Sequence, residues 1–375
     1  MKIKMNKAGN GDCFLIQTNH STVLIDGGTS SSYNGWSRSL QSTDIIDALF
    51  ITHIDNDHVN GIIKLLDSNL MDNLTIKNIF FNGSRQITEF DVKNDSEYDS
   101  EYDSIASNFS AKHKLEVDIG FSEGTSLSYL IESKGLMINA LNDGKAIHQN
   151  TYQSPIVIGD ISCQFLGPTL KSIKKLRLNW LDVLEERGIK RKILTKKHAI
   201  ALESYVKSLS IATESEFNIS SNTCTDIDSL ANSSYIPDKS LANETSFSFI
   251  LRCGKKSILM LGDAHVETIL EWMDEHTLKT LAVDAIKISH HGSKHNINKE
   301  FIKRVDCNRY LISTNGKKSH PDLETLAIIA TYSSKPHTQI SINYEIDKIS
   351  NDFIDNLSKL PNPAKIYFNQ EEISL

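Results

Sequence analysis

The sequence is poor in cysteine, and its cysteines form no recognisable pattern. Five occur among 375 residues, an odd number with no CxxC spacing. This excludes a thiolate zinc site of the CxxC type and provides no disulfide framework. The segment after Met1 also lacks the apolar core of a signal peptide. We therefore expect reduced thiols that pack inside a cytoplasmic protein.

Long apolar runs are missing as well. No segment approaches the roughly 18 consecutive apolar residues that a membrane helix requires, so no membrane contact is predicted. The composition, 39% hydrophobic and 23% charged, is that of a globular protein. The net charge of −7 argues against a surface that binds polyanions everywhere. The length permits two domains, but we predict a single domain over residues 1–375.

Short apolar runs alternate with helical patterns along the chain. CFLIQT and STVLIDGG predict a hairpin, and ALFITH predicts a strand that leads into the helix HVNGIIKLLDSNL. LMINALN also has the composition of a strand. In SFSFILRCGKKSILMLGD, two strands are joined by a Gly254-Lys255 turn. Strands and helices then alternate to the end, which predicts the α/β class and a four-layer αββα sandwich.

Residues 171–245 differ in character from the rest of the chain. Residues 171–208 contain 11 Lys or Arg against 4 Asp or Glu, a net charge of +7, with helical periodicity. Residues 209–245 are rich in Ser, Asn, Thr and Asp, which predicts a loose connector. We interpret 171–245 as a basic helical insertion. It is a solvated face, a contact for nucleic acid, or a docking site for a protein partner.

The stretch FITHIDNDHVNGI places His53, Asp55, Asp57 and His58 within six positions, on the loop between a predicted strand and a helix. Uncompensated carboxylates this close would repel one another. Two divalent metal ions about 3.5–4 Å apart would neutralise them and accept the imidazole lone pairs. His53 and Asp55 alternate, so they can point at one ion, while Asp57 and His58 can reach a second. The spacing therefore predicts a dinuclear metal site.

Other potential ligands stand where apolar runs end. Each position follows a predicted strand and begins a loop, and repetition of this placement is stronger evidence for a shared site than any single residue. These residues are Asp26 after VLI, Asp263 after LMLG, His290 and His291 after IKIS, and His320 after LISTNGKKS.

Together these motifs resemble the metallo-β-lactamase-fold hydrolases. More narrowly, the pattern resembles the branch that includes the hydrolase domain of ComEC-type DNA-uptake proteins and their soluble relatives. The features of that branch are a Gly-Asp pair in GNGDCFLI, Asp55 as second member of the first cluster, Asn243 and Ser246 in NETSFSFIL, the HHGS run and the His320-Pro321 pair. The resemblance is scattered over residues 9–322 and excludes the insertion.

The resemblance implies a role for each matching residue. His53 and Asp55 would bind the first metal, Asp57, His58 and His290 the second, and Asp263 would bridge both. Asp26, His291 and Asn243 would hold these ligands in place, with His291 the alternative to His290. The wider superfamily has a further His ligand where this chain offers Asn243 or Ser246, since His148 and His198 lie in poor contexts. The first metal would therefore be weakly held. The ions would be Zn²⁺ or Mn²⁺, with Mg²⁺ possible, because Asp55 is a harder ligand than His.

The resemblance also implies a hydrolytic mechanism. A water between the metals would become hydroxide near neutral pH and attack phosphorus or a carbonyl carbon. Asp57 and Asp263 would orient this nucleophile, and His320 would assist the leaving group. Ser293, Lys294 and Asn315 are the candidates for binding substrate.

Three functions compete. The first is a metal-dependent phosphodiesterase that acts on nucleic acid or nucleotides, which the branch resemblance and the basic insertion favour. The second is a cytoplasmic hydrolase of a small lactone or thioester. The third is a regulatory subunit with a degenerate metal site. A role in anti-phage defence rests on family analogy alone.

Overall fold

The computed structural model describes residues 1–113, 125–217 and 226–375. Cys224 and part of the expected connector lie outside these residues. The four described cysteines, Cys13, Cys163, Cys253 and Cys307, are free thiols. In the described part of the chain, no helix combines the length and apolar character needed to span a membrane.

Two large sheets form the centre of the molecule. The first has six strands in the spatial order Glu372–Ser374, Lys2–Met5, Phe14–Gln17, Thr22–Ile25, Ala48–Phe50 and Ile79–Phe80. The second has eight strands in the order Ala364–Tyr367, Thr338–Ile342, Arg309–Ile312, Ala285–Lys287, Lys256–Met260, Ser248–Cys253, Ile161–Gly167 and Ile156–Ile158. Short strand pairs join Asp91–Val92 to Ile193–Leu194, Leu281–Ala282 to Val305–Asp306, and Ile45–Ile46 to Thr75–Ile76.

Helices cover the outer faces of both sheets. The described α-helices are Tyr33–Trp36, Asn56–Leu66, Ser84–Thr88, Asp99–His113, Leu127–Ser133, Leu170–Glu186, Lys196–Phe217, Ile227–Ala231, Leu241–Glu244, Val266–Glu275, Lys299–Arg304, Leu323–Tyr332 and Asn351–Ser358. Short 3₁₀ helices span Ser30–Ser32, Ser37–Leu40, Asn69–Asp72, Ala140–Asn142 and Ser289–Gly292.

Strand alternation divides the interior into three apolar layers. Phe14 and Ile16 point into the layer between the sheets, whereas Leu15 points outward toward the first group of helices. In the second sheet, Ala285 faces the inter-sheet layer and Ile286 faces the other helices. Successive side chains of a strand lie on opposite faces, so each strand contributes to two layers. The predicted four-layer αββα sandwich is confirmed.

The predicted hairpins are present, but two predictions of local structure are wrong. Phe14 pairs with Ile25, and Cys253 pairs with Lys256 across the Gly254-Lys255 turn. LMINALN is not a strand: it contributes one isolated bridge at Ile138 and then a 3₁₀ helix. The described part of the connector, 226–245, contains two helices with buried side chains instead of loose chain.

The basic helices of the insertion pack on the first helical layer. Trp180 and Leu202 lie in the same apolar cluster as Ile62 of the helix that follows the ligand loop. Their polar faces meet the acidic segment 89–104, which contains the EYDSEYDS repeat. Ion pairs at 2.6 Å join Arg177 to Glu89, Arg191 to Asp95 and Glu97, and Lys197 to Asp103. Three of the 11 basic residues in 171–208 are therefore neutralised by this acidic segment.

His198 lies in the interior of this insertion, fixed as a neutral ring. Its Nδ1 donates to the Ile193 carbonyl at 2.6 Å, and its Nε2 accepts from Trp180 Nε1 at 2.9 Å. Burial lowers the pKa of His198 from 6.5 to about 4, although the bond to Ile193 opposes the shift. His198 therefore has a structural role and is not a metal ligand.

We expect His198 to make stability depend on pH. Between pH 6.5 and 4, His198 is protonated in the unfolded chain and neutral in the folded protein. The free energy of unfolding therefore decreases as pH falls from 6.5 toward 4. The loss should reach about 3 kcal/mol. Urea unfolding at pH 7, 5.5 and 4.5 should show a shallower decline for His198→Gln than for the wild type. Identical declines would refute this assignment.

Candidate metal centre

The first ligand loop follows the strand Ala48–Phe50 and ends in the helix Asn56–Leu66. Asp26, at the end of the neighbouring strand, organises this loop. Its buried carboxylate accepts hydrogen bonds at 2.8 Å from the Thr52 backbone N–H, the Thr52 hydroxyl and His58 Nδ1. Because Nδ1 of His58 is engaged, its Nε2 is left to point toward the second sheet. Asp26 thus fixes the orientation of the His58 ring, as an outer partner of a metal-binding histidine would.

Asp263 is the point on which the imidazoles converge. Its Oδ2 lies 3.3 Å from His58 Nε2, 3.6 Å from His291 Nε2, and 3.9 Å from both His53 Nε2 and His290 Nε2. Asp57 Oδ2 lies 3.5 Å from His291 Nε2. Loops from both sheets therefore meet at one carboxylate oxygen.

Within the described residues, four groups of three side chains have ligand atoms within 4.8 Å of one another. The first two consist of residues that the sequence assigned to the site, and the others bring in Asp12. The groups are His53, His58 and Asp263; Asp57, His58 and His291; Asp12, Asp26 and His58; and Asp12, Asp263 and His291.

The donor atoms of this cluster fit divalent cations. Among the described residues, Nε2 of His53, His58 and His291 and Oδ1 of Asp263 are buried without a hydrogen-bond partner. Unpartnered buried polar atoms are costly, and here three imidazole nitrogens face the same carboxylates. His291 Nδ1 donates to the Ser313 carbonyl at 2.9 Å, which leaves the Nε2 lone pair available. Imidazole nitrogens with carboxylate oxygens suit Zn²⁺ or Mn²⁺.

His291, which the sequence gave as the alternative to His290, is the member of this pair that belongs to the groups of potential metal ligands. His291 is buried and belongs to two of the four groups. His290 instead has Nδ1 3.0 Å from Asn296 Oδ1 and 3.8 Å from Asp238. Both residues have positive φ, 45° and 55°. With this left-handed backbone, the His291 ring enters the ligand groups, and Nδ1 of His290 lies next to Asn296.

The first metal position is less complete than the second. Asp55 caps the helix, with Oδ1 accepting from the Asn56 N–H at 2.7 Å, and it belongs to none of the four groups. Where relatives are expected to have a further His, Asn243 donates to Asp238 at 2.8 Å and the Ser246 hydroxyl accepts from the Asp263 N–H at 3.1 Å. Ser246 therefore supports Asp263, whereas Asn243 is engaged with Asp238.

The charges in the cluster shift one another's protonation. Burial would lower the pKa of His58, but the carboxylates of Asp263 and Asp26 outweigh burial and raise this pKa well above its usual value. Burial would raise the pKa of Asp263, but His58, His291 and His290 hold it well below its usual value. The pKa of His53 is lowered by burial and by His58. Imidazoles and carboxylates thus favour each other's charged forms in this cluster.

The sequence reasoning missed several groups at this site. Lys287 is fully buried and pairs with Asp12, the carboxylate of the GNGDCFLI motif, to which no role was given. Asn10 donates to Asp57 Oδ2 at 2.6 Å. Lys318 lies close enough to Asp57 to lower the pKa of that carboxyl, although burial opposes the shift. A lysine inside the apolar strand AIKIS was the one available signal for Lys287.

The predicted substrate-binding residues are largely engaged elsewhere. Lys294 pairs with Glu324 at 2.8 Å, and the buried Ser293 hydroxyl accepts from the His295 N–H at 3.2 Å. Asn315 caps its own loop, accepting from the Lys317 N–H at 3.1 Å. His320 lies next to the cluster, with its ring centroid 5.1 Å from that of His290. Burial lowers the pKa of His320, partly offset by Asp322.

Comparison with known proteins agrees with this architecture. Residues 6–131, which include Asp26 and the ligand loop, match the family model described as Metallo-beta-lactamase superfamily. The match covers about a third of the chain, the part that carries Asp26 and the first ligand loop. A comparison with curated proteins gave no match. The resemblance to the ComEC-type branch stays a prediction.

Solved structures with a similar fold are distant. The metallo-β-lactamase fold protein YhfI from Bacillus subtilis is 8% identical, with a TM-score of 0.39, over 100% of this chain and 99% of that one. CmlA, a diiron β-hydroxylase from Streptomyces venezuelae, is 9% identical, with a TM-score of 0.40. That alignment covers 100% of this chain and 54% of CmlA, so this chain spans about half of its length. Both similarities are too weak to transfer an activity.

Proposed function

We propose that the protein is a metal-dependent phosphodiesterase that acts on nucleotides or nucleic acid. The observation that carries the proposal is the convergence of His53, His58 and His291, each through Nε2, on the carboxylate of Asp263. One cation would be held by Asp57, His58, His291 and Asp263. A second, more weakly held, would use His53 and Asp263. When bound, such ions lower the pKa of a coordinated water, which makes it a better nucleophile, and they neutralise charge on the phosphoryl group.

The side chains around the cluster supply the remaining functions. Asp57 is one of the residues that would hold the more tightly bound cation, and it accepts a hydrogen bond from Asn10, so its carboxylate can orient a water against the substrate. The positive charge of Lys318 lowers the pKa of Asp57, although burial opposes this shift. Lys318 could therefore also attract the charge of a phosphoryl group bound near Asp57. His320 is the candidate for protonating the leaving oxygen. The cytoplasmic setting and any part in anti-phage defence belong to this proposal and rest on composition and family analogy.

The charge distribution favours small or flexible phosphodiesters over long duplexes. Arg177, Arg191 and Lys197 of the insertion are paired with acidic residues, and Lys207 is buried beside Glu203. These charges cannot bind a phosphate backbone without breaking their present contacts. Among cyclic dinucleotides, RNA, single-stranded DNA and duplex DNA, we expect cyclic dinucleotides to be cleaved best in the presence of Mn²⁺ or Zn²⁺.

The same assay tests the proposal against its alternatives. Bis(p-nitrophenyl) phosphate and the four nucleic acid substrates are compared with a lactone and a thioester at matched metal concentration. Hydrolysis of the phosphodiesters, lost with chelator and restored by metal, supports the proposal. Cleavage of the lactone or thioester alone would show a small-molecule hydrolase. Substoichiometric metal together with an absence of hydrolysis would favour a regulatory subunit with a degenerate metal site.

Removing positive charge from the insertion should affect the binding of long nucleic acids and leave turnover of a small phosphodiester unchanged. In the variant Lys190→Gln/Lys192→Gln/Lys196→Gln, we expect turnover of bis(p-nitrophenyl) phosphate to stay within about twofold, because none of these residues belongs to the ligand groups. Single-stranded DNA binding should weaken, with a smaller salt dependence of affinity, if long substrates cross this face. An equal loss on both substrates would show that the insertion acts through the fold.

A further inference from the structure

Lys287 is an anomaly in the strand Ala285–Lys287. Strand alternation directs its side chain, like that of Ala285, into the apolar layer between the two sheets. It is fully buried and flanked in register by Met260 and Leu311. An ammonium there costs free energy even when paired, and an apolar pair would usually be at least as stable. Stability alone therefore does not explain a lysine at this position.

The ammonium touches three groups at the metal centre. It forms an ion pair with Asp12 and donates to the Gly262 carbonyl at 2.8 Å. It also lies 3.7 Å from Asp263 Oδ1, the oxygen opposite the one on which the histidines converge. Lys287 thus sits behind Asp263 and not among the unpartnered imidazole nitrogens.

Asp12 extends this arrangement to a second ligand. Its other oxygen, Oδ1, lies 3.4 Å from His291 Nδ1, and its backbone N–H donates to the Asp57 carbonyl at 3.3 Å. Asp12 comes from the first sheet and Lys287 from the second, so one ion pair joins both halves of the site. Asp12 lies in two of the four ligand groups, but its Oδ2 is already committed to Lys287.

We propose that Asp12 and Lys287 are positioning residues, an internal ion pair that aims Asp263 Oδ2 and His291 Nε2 at the metals while keeping Asp12 from becoming a ligand. The charges of the pair lie 3.7 Å from Asp263 Oδ1 and 3.4 Å from His291 Nδ1, whose hydrogen bond goes to the Ser313 carbonyl. This inference rests on the proposed function only for its catalytic consequence, because metal binding tests the positioning without any substrate.

The test is the double variant Asp12→Asn/Lys287→Met, which removes one charge of each sign and leaves the local net charge unchanged. Any change in metal binding then reflects position and not electrostatic attraction. We expect Co²⁺ to bind at least about tenfold more weakly, with an altered visible absorption spectrum. The matched control is Asp274→Asn/Arg304→Met, which removes a surface pair at 2.7 Å and should change neither.

A folded double variant with unchanged Co²⁺ affinity and spectrum would overturn the proposal. If the double variant does not fold, Asp12→Glu replaces it, because glutamate keeps the charge but moves the carboxylate. An unchanged Co²⁺ spectrum in Asp12→Glu would equally overturn it. The catalytic consequence is a lower kcat on bis(p-nitrophenyl) phosphate with KM nearly unchanged. A wild type that binds Co²⁺ but hydrolyses no phosphodiester would refute the proposed function and leave the positioning result standing.

Discussion

Replacing Asp263 with Asn should abolish metal-dependent hydrolysis while the protein remains folded. Oδ2 of Asp263 lies within 3.9 Å of four imidazole Nε2 atoms, so its charge is the shared counterpart of any cation bound there. Asparagine keeps the shape and loses the charge. Because a metal contributes several kcal/mol to transition-state stabilisation, we expect kcat/KM for bis(p-nitrophenyl) phosphate to fall at least about a thousandfold.

The control for this substitution is Asp274→Asn, the same change at an exposed position paired with Arg304. It should retain wild-type activity. Circular dichroism and thermal unfolding show whether each variant is folded, and chelator competition measures its metal affinity. If Asp263→Asn kept more than about a tenth of the activity with normal metal content, Asp263 would not be the shared ligand.

Replacing Gly61 with Ala should cost both stability and activity. The helix Asn56–Leu66 packs against the Gly27-Gly28 turn so closely that a Cβ at Gly61 would lie 1.8 Å from the Gly27 carbonyl oxygen. Backbone bonds from Gly27 N–H to the His58 carbonyl and from Gly61 N–H to the Gly28 carbonyl lock this contact. The helix must therefore shift, and overpacking this severe should destabilise by at least about 3 kcal/mol.

The same shift would move the ligands at the start of that helix. Asp57 and His58 lie in its first turn, and a displacement of about 1 Å can lower a rate about a hundredfold. Gly35→Ala is the matched control, because nothing lies within 4 Å of a Cβ added there. Chemical unfolding and the phosphodiester assay measure both effects. Equal stability of Gly61→Ala and Gly35→Ala would contradict the packing account.

The fold was largely predictable because its signals are local. Strand alternation and the Gly254-Lys255 turn place the hairpins, and the spacing of Val59, Ile62 and Ile63 defines the helix after the ligand loop. The connector was mispredicted because polar residues dominate its composition. The apolar triplet Ile227, Leu230 and Ala231 has helical spacing and anchors a buried turn, but it is short.

The site was predictable in its ligand types and less so in its geometry. Clusters of His and Asp at strand ends point to metal, but the choice between His290 and His291 depends on a left-handed backbone that no residue type announces. Asp55 looked like a ligand by spacing, and the helix start uses it as a cap. Lys287 was missed because a single charged residue in an apolar strand has no pattern, and its partner Asp12 lies 275 positions away.

Anomalous diffraction from crystals soaked in Mn²⁺ or Zn²⁺ tests the central claim most directly. We predict a strong peak bounded by Asp57, His58, His291 and Asp263, and a weaker peak between His53 and Asp263. No peak within coordinating distance of these residues, or a peak held by other side chains, would contradict the account.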